Sequence, residues 1–175
     1  MRVALLPLGP GSEDVLGPLV ETLTACGIAC DTRGPGPLPP EAFLPSRCQW
    51  DAETILRGLP RSSSETVVAV TDADLFVEGL NFVFGLADAL GGVALVSVAR
   101  LPSRDPAVTQ RRLLKEVVHE LGHTLGMVHC PNAACVQHFS NSLEDTDAKG
   151  AAFCPACEAR LPAEASEPFS KLRIL

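Results

Sequence analysis

The chain has 175 residues, a formal net charge of −7, 46% hydrophobic and 20% charged residues, and seven cysteines. That is the composition of one globular domain long enough to bury a core. No apolar run approaches the about 18 residues of a membrane-spanning helix, and no basic run supplies the electrostatic footprint of a nucleic-acid binder.

Met1-Arg2-Val3-Ala4-Leu5-Leu6-Pro7 carries too short an apolar stretch for a secretory leader, with no small-residue cleavage site after it. The reducing cytoplasm is therefore the expected compartment, and clustered cysteines read there as metal ligands before they read as disulfides. A monomer with neither a nucleic-acid nor a membrane partner is expected.

Arg2 to Leu6 reads as a buried strand. Leu16, Leu19, Val20 and Leu23 then recur at helical spacing up to a stop at Gly27, with Pro18 blurring the start. A short strand near Ile28 to Thr32 leads into Gly34-Pro35-Gly36-Pro37-Leu38-Pro39-Pro40, a loop because the prolines fix φ and lack N–H donors. A helix is expected from Asp51 to Leu59, then strands at Thr66 to Thr71, Asn81 to Gly85 and Val93 to Ala99.

Asp105-Pro106 supplies an N-cap and a first-turn proline. Leu113, Leu114, Val117, Val118, Leu121 and Leu125 form an apolar stripe, so a helix should run from Pro106 to Leu125. After Gly126 the periodicity fades, and the final fifty or so residues, rich in Cys, Pro, Asn, Ser and Asp, predict a loop-dominated lobe that needs a cross-link.

Residues 119 to 130 read His-Glu-Leu-Gly-His-Thr-Leu-Gly-Met-Val-His-Cys. His119 and His123 stand one helical turn apart, with Cβ atoms about 5 to 6 Å from each other, close enough for both rings to reach one zinc ion. His129 is the third candidate ligand, which leaves one tetrahedral position for water. A continuing helix would carry residue 129 off the metal-facing stripe, so the chain must turn at Gly126, which tolerates the left-handed conformation. Glu120 would stand beside the metal as general base.

Cys130, Cys135, Cys154 and Cys157 form Cys-x4-Cys, a gap of eighteen residues, then Cys-x2-Cys. The spacing fits a closed structural zinc site; an iron–sulfur cluster and a pair of disulfides are the rivals. Cys130 directly follows His129, so this second metal would fix the third histidine in place.

The run from His119 to Cys130, continued by Cys135, Cys154 and Cys157, resembles the signature of the archaemetzincins. Further likeness runs through Arg47-Cys48-Gln49-Trp50, Thr71-Asp72-Ala73-Asp74-Leu75-Phe76, Asn81-Phe82-Val83-Phe84-Gly85, Ser97-Val98-Ala99-Arg100-Leu101, and Ser140-Asn141-Ser142 ahead of Asp147-Ala148-Lys149. The resemblance implies an α/β (α+β) metzincin fold: a twisted mixed sheet with backing helices, an active-site helix below a cleft, and a small zinc-stabilised C-terminal lobe. It also implies one metallopeptidase domain over residues 1–175, with an N-terminal part, 1–126, and a C-terminal part, 127–175. Two zinc ions, one catalytic and one structural, and a peptide or protein substrate follow from it. An aminopeptidase of narrow specificity is the finer expectation.

One departure stands out. Family members carry methionine two residues after the second cysteine, where this chain has Gln137, and the chain has no tyrosine to add a phenolate ligand or oxyanion donor. A non-catalytic zinc-stabilised binding protein therefore stands as one alternative; a cysteine-based redox or metal sensor on the same fold, which no cysteine pattern positively requires, is another. His138 reads as a hydrogen-bonded or surface histidine. Cys26, Cys30 and Cys48 read as packing residues, Asp72, Asp74, Asp147 and Lys149 as turn residues, and Asn81 to Phe84 as a cleft-rim edge strand.

Overall fold

The structure, a computed structural model, describes residues 1–174. Strand β1 (Arg2–Leu8) is followed by a 3-10 turn and helix α1 (Leu16–Ala25), in which Pro18 sits in the first turn, where a missing N–H costs nothing. Gly27, at φ 89°, ends the helix and feeds β2 (Ala29–Thr32). The proline loop leads to β3 (Phe43–Leu44), β4 (Gln49–Asp51) and α2 (Ala52–Gly58), whose first turn is capped by the Asp51 carboxylate accepting from the Glu53 amide at 3.1 Å. Then come β5 (Thr66–Thr71), β6 (Leu75–Phe76), β7 (Gly85–Asp88), β8 (Val93–Ser97) and the long helix α3 (Pro106–Thr124).

Five strands form the main sheet in the order β2-β1-β5-β8-β7; all pair in parallel except the edge strand β7, antiparallel to β8. Its central strands are apolar runs because both faces are covered. Val3, Leu5, Val68, Val70, Ala94 and Val96 pack on one face with α1 and α3, while Ala4, Val67, Ala69, Val93 and Leu95 pack on the other with Ile55 and Leu56 of α2. A second sheet, β3-β4-β6, is bridged through Leu75 of β6 to Val83, ahead of β7.

Two expectations need correction. Residues 81–84 are not the strand: the ladder begins at Gly85, paired with Val96, and runs to Asp88. The cause lies in β8, whose chain departs after Ser97, with the Val98 amide donating to Thr71 at 2.8 Å; residue 83 is left to a single bridge with Leu75. The C-terminal lobe is also more helical than expected, containing α4 (Leu143–Ala148), α5 (Pro155–Glu158) and α6 (Ala163–Ser170). Phe153, Leu161, Ala165, Phe169 and Leu172 bury into the cluster that also holds Val117, Leu121 and the sheet, which explains how segments with little periodicity of their own are ordered.

Candidate metal centre and cleft

Helix α3 starts as expected, with Asp105 accepting from the Ala107 amide at 2.9 Å and Pro106 at its first position. It ends in a Schellman motif: the Met127 amide donates to the Gly122 carbonyl at 3.0 Å and the Gly126 amide to that of His123 at 2.9 Å, with Gly126 at φ 81°. This reversal brings His129 back over the helix. The His129 ring centroid lies 5.3 Å from that of His119 and 4.8 Å from that of His123, and Phe139 packs 4.8 Å from it on the outer side.

One ligand nitrogen from each of His119, His123 and His129 falls within 4.8 Å of the other two. His119 Nδ1–H donates to the Val136 carbonyl at 2.9 Å and His123 Nδ1–H to that of Met127 at 2.7 Å. Those bonds fix the tautomer and leave both Nε2 lone pairs bare and facing each other at 3.1 Å. Neither Nε2 then has a proton to share, so the arrangement is repulsive unless a cation lies between them. Ligands of a tetrahedral zinc with bonds of about 2.0 to 2.1 Å stand about 3.3 Å apart, so the 3.1 Å between His119 and His123 suits such an ion, and a nitrogen of His129 lies within 4.8 Å of both. Burial pushes the His119 ring down to about 2, helped by the positive charge of Lys149, and burial also lowers His123 and His129. Neutral imidazoles are the ligating form.

Glu120, 4% exposed, stands next to His119 on the floor of a cleft of about 740 Å³. Leu80 to Leu86 line the cleft together with Met127, Val128 and Phe139. Burial and the neighbouring Glu116 carboxylate raise the Glu120 carboxyl well above its ordinary value, with Lys149 pulling the other way.

The four cysteines also converge. One Sγ each from Cys130, Cys135, Cys154 and Cys157 lies within 4.8 Å of the others, and Cys130 and Cys154 are 3.8 Å apart. A tetrathiolate zinc with bonds of about 2.3 Å sets sulfurs about 3.8 Å from each other. The Cys157 backbone amide draws the Cys154 thiol down to about 7, whereas burial raises Cys135 and Cys157. The Cys154 amide donates to Cys135 Sγ at 3.2 Å, and the His138 ring donates from Nδ1 to the Cys130 carbonyl at 2.8 Å, so His138 braces the ligand loop and stays outside both clusters.

A family model described as peptidase family M54 matches residues 58–163. The archaemetzincin of Methanocaldococcus jannaschii is 37% identical over 169 residues, covering 92% of this chain and 93% of that one. The chain belongs to the archaemetzincin family. Among solved structures, the archaemetzincin of Archaeoglobus fulgidus superimposes with a TM-score of 0.86 at 34% identity, covering 92% of this chain and all of that one. A zinc-dependent peptidase of Methanocorpusculum labreanum does so with a TM-score of 0.80 at 28% identity over 91% of this chain and all of that one. The chain is therefore a zinc metallopeptidase with the mixed α/β fold of its relatives, acting on peptides or proteins.

Gln137 is wholly buried, and neither polar atom of its side-chain amide has a hydrogen-bond partner among the described residues. Its Oε1 occupies the space a Cβ on Gly122 would need, so the glycine between the two helical histidines makes room for it.

Sequence reasoning missed one feature of the site. Lys149 lies in the bend that ends α4, but its side chain turns inwards: its ammonium lies 3.1 Å from Glu116, with side chains 0% and 3% exposed, and Thr146 Oγ1 donates to the same carboxylate at 2.9 Å. The spacing 116, 119, 120, 123 on one helical face was the available signal for Glu116. Asp74 and Asp147 are likewise ion-paired, with Arg100 and Arg112 respectively, each at 2.6 Å. Cys26 packs in the core as expected and Cys30 packs against it, while Cys48 is exposed.

Proposed function

We propose that His119, His123 and His129 hold a catalytic zinc, that Cys130, Cys135, Cys154 and Cys157 hold a structural one, and that Glu120 is the general base of peptide-bond hydrolysis. The bare Nε2 lone pairs of His119 and His123, 3.1 Å apart with their Nδ1 protons committed to carbonyls, are the observation that carries this reading. Zinc bound there would supply Lewis acidity to water and to the scissile carbonyl. Glu120 takes the proton released by the attacking water and returns it to the departing amine nitrogen; its burial, which strengthens its hold on a proton, suits both halves of that transfer. Gly85 brings the backbone of β7 against Glu120, and the outer edge of β7 offers main-chain groups to which an extended peptide can add.

The finer reading is an aminopeptidase of narrow specificity, working as a cytoplasmic monomer folded as one domain in two parts, 1–126 and 127–175, with no nucleic-acid or membrane partner. Support comes from the apolar cluster that joins the two parts, the seven unpaired thiols and the net charge of −7. No helix among the described residues is long and apolar enough to cross a membrane.

The test is cleavage of a peptide library by wild type and by Glu120→Gln at equal zinc content, with each peptide offered free and N-acetylated. Loss of cleavage in the variant supports the role of Glu120, and equal rates reject it; cleavage of acetylated peptides rejects the aminopeptidase reading. A non-catalytic zinc-stabilised binding protein is the second reading, favoured by the unpartnered amide of Gln137 beneath the histidines.

A further inference from the structure

The cleft wall formed by residues 80–84 is held from behind by side chains that never reach the cleft themselves. Cys48 adopts a left-handed backbone, φ 52°, a conformation a residue with a Cβ rarely keeps unless its surroundings impose it. It lies between Arg47 and Gln49, whose side chains meet, with Arg47 Nε donating to Gln49 Oε1 at 2.8 Å. From there Arg47 Nη2 donates to the carbonyls of Leu80 at 2.9 Å and Asn81 at 2.7 Å, and Gln49 Nε2 donates to Asn81 at 3.0 Å. Asp74 completes the set: its carboxylate accepts from Gln49 at 3.0 Å and from both arms of the Arg100 fork at 2.6 and 2.7 Å. The Arg100 guanidinium then stacks 4.4 Å from the ring of Phe82, and that of Arg47 stacks 4.4 Å from Phe76 in β6.

Charge-assisted, bidentate bonds of this kind set geometry as well as energy. These four residues come from three separate stretches: the donors of Arg47 and Gln49 converge on Leu80 and Asn81, Arg100 packs on Phe82, and the Asp74 carboxylate holds Gln49 and Arg100 in place. Among the described residues the segment bonds to strands through the Leu75–Val83 bridge and through the Phe84 carbonyl, which accepts from the Ser97 amide at 2.8 Å, so regular sheet bonding does not fix Leu80, Asn81 and Phe82.

We propose that Arg47, Gln49, Asp74 and Arg100 form a positioning network that fixes the cleft wall at Leu80, Asn81 and Phe82 for the peptide's backbone and side chains, without touching substrate. This rests on the peptidase reading of the cleft, and it adds residues that the zinc sites and Glu120 leave unexplained.

The experiment uses the zinc-loaded full chain and two probes: acetohydroxamate, which needs only the metal, and a peptidyl hydroxamate, which needs the metal and the wall. Arg47→Met and Asp74→Asn should weaken the peptidyl probe by about tenfold or more, the scale of one lost hydrogen bond to a charged group. The same variants should leave acetohydroxamate affinity unchanged. Arg47→Lys, which keeps a cationic donor, should recover part of the loss. Hydrogen exchange at residues 80–84 should quicken in Arg47→Met, with α3 unaffected. Equal weakening of both probes, unchanged exchange at the wall, or a wild type that prefers neither probe would overturn the proposal. If Arg47→Met fails to fold, Arg47→Lys and Asp74→Asn carry the same comparison. A wild type that binds the peptidyl probe through the wall yet hydrolyses no peptide defeats the peptidase reading and leaves the network standing.

Discussion

A Cβ placed on Gly85 would lie 2.5 Å from Oε1 of Glu120 and 2.7 Å from its Cγ, so the first residue of β7 is a glycine because the buried acid fills the space beside it. Gly85→Ala must therefore displace Glu120 or push β7 outwards. We expect kcat to fall by about a hundredfold, the usual scale for misplacing a reacting group by roughly 1 Å, with zinc content unchanged. Steady-state kinetics on metal-replete variant and wild type decides it, and an undiminished kcat would show that Glu120 has room to spare.

The buried Glu116–Lys149 pair, 3.1 Å long, ties α3 to the segment after α4. Removing one partner leaves the other charge buried, so Lys149→Met should destabilise the fold by about 3 to 5 kcal/mol. Glu116→Leu/Lys149→Met should recover most of that loss, since an apolar pair of similar volume carries no desolvation cost. Urea unfolding of the single and double variants measures both, and additive losses would contradict the pairing.

Much of this molecule was readable in the residues. The apolar stripe of α3, the Asp105 cap, the turn at Gly126 and the convergence of His119, His123 and His129 follow from local spacing, because helical period acts over a few residues; the four cysteines were legible as two close-spaced pairs. What escaped depends on distant partners. Phe82, Val83 and Phe84 look like strand, but whether a ladder forms is decided by Val98, whose amide turns to Thr71. Lys149 sits in a polar stretch, and nothing near it signals the carboxylate waiting 33 positions earlier at Glu116. Asp74 shows the same problem: its partner Arg100 lies across a separate strand connection.

The metal-free protein should lose stability as pH falls. Burial drives His119 down to about 2 from 6.5, so between those values the unfolded chain binds a proton that the folded chain does not. Stability from this group is complete above about pH 6.5 and is lost below it, with a slope of at most about 1.4 kcal/mol per pH unit. His123 and His129 are shifted the same way and steepen the fall. Chemical denaturation of the apoprotein at pH 7.5, 6.5 and 5.5, beside His119→Gln, tests this; a flat profile in wild type would contradict it.

Gln137→Met removes a buried amide whose Nε2 and Oε1 have no partner among the described residues. It should stabilise the protein by about 1 to 3 kcal/mol, the penalty of an unsatisfied buried polar group, and leave zinc binding intact. Thermal unfolding of the zinc-loaded pair gives the answer, and a destabilised variant would mean the amide is satisfied by something that methionine cannot replace.

Zinc counted per chain tests the two-centre account most directly. Elemental analysis should find two zinc ions in wild type, one in His119→Gln/His123→Gln and one in Cys154→Ser/Cys157→Ser. Two ions retained after loss of the histidines, or a single ion in wild type, would contradict it.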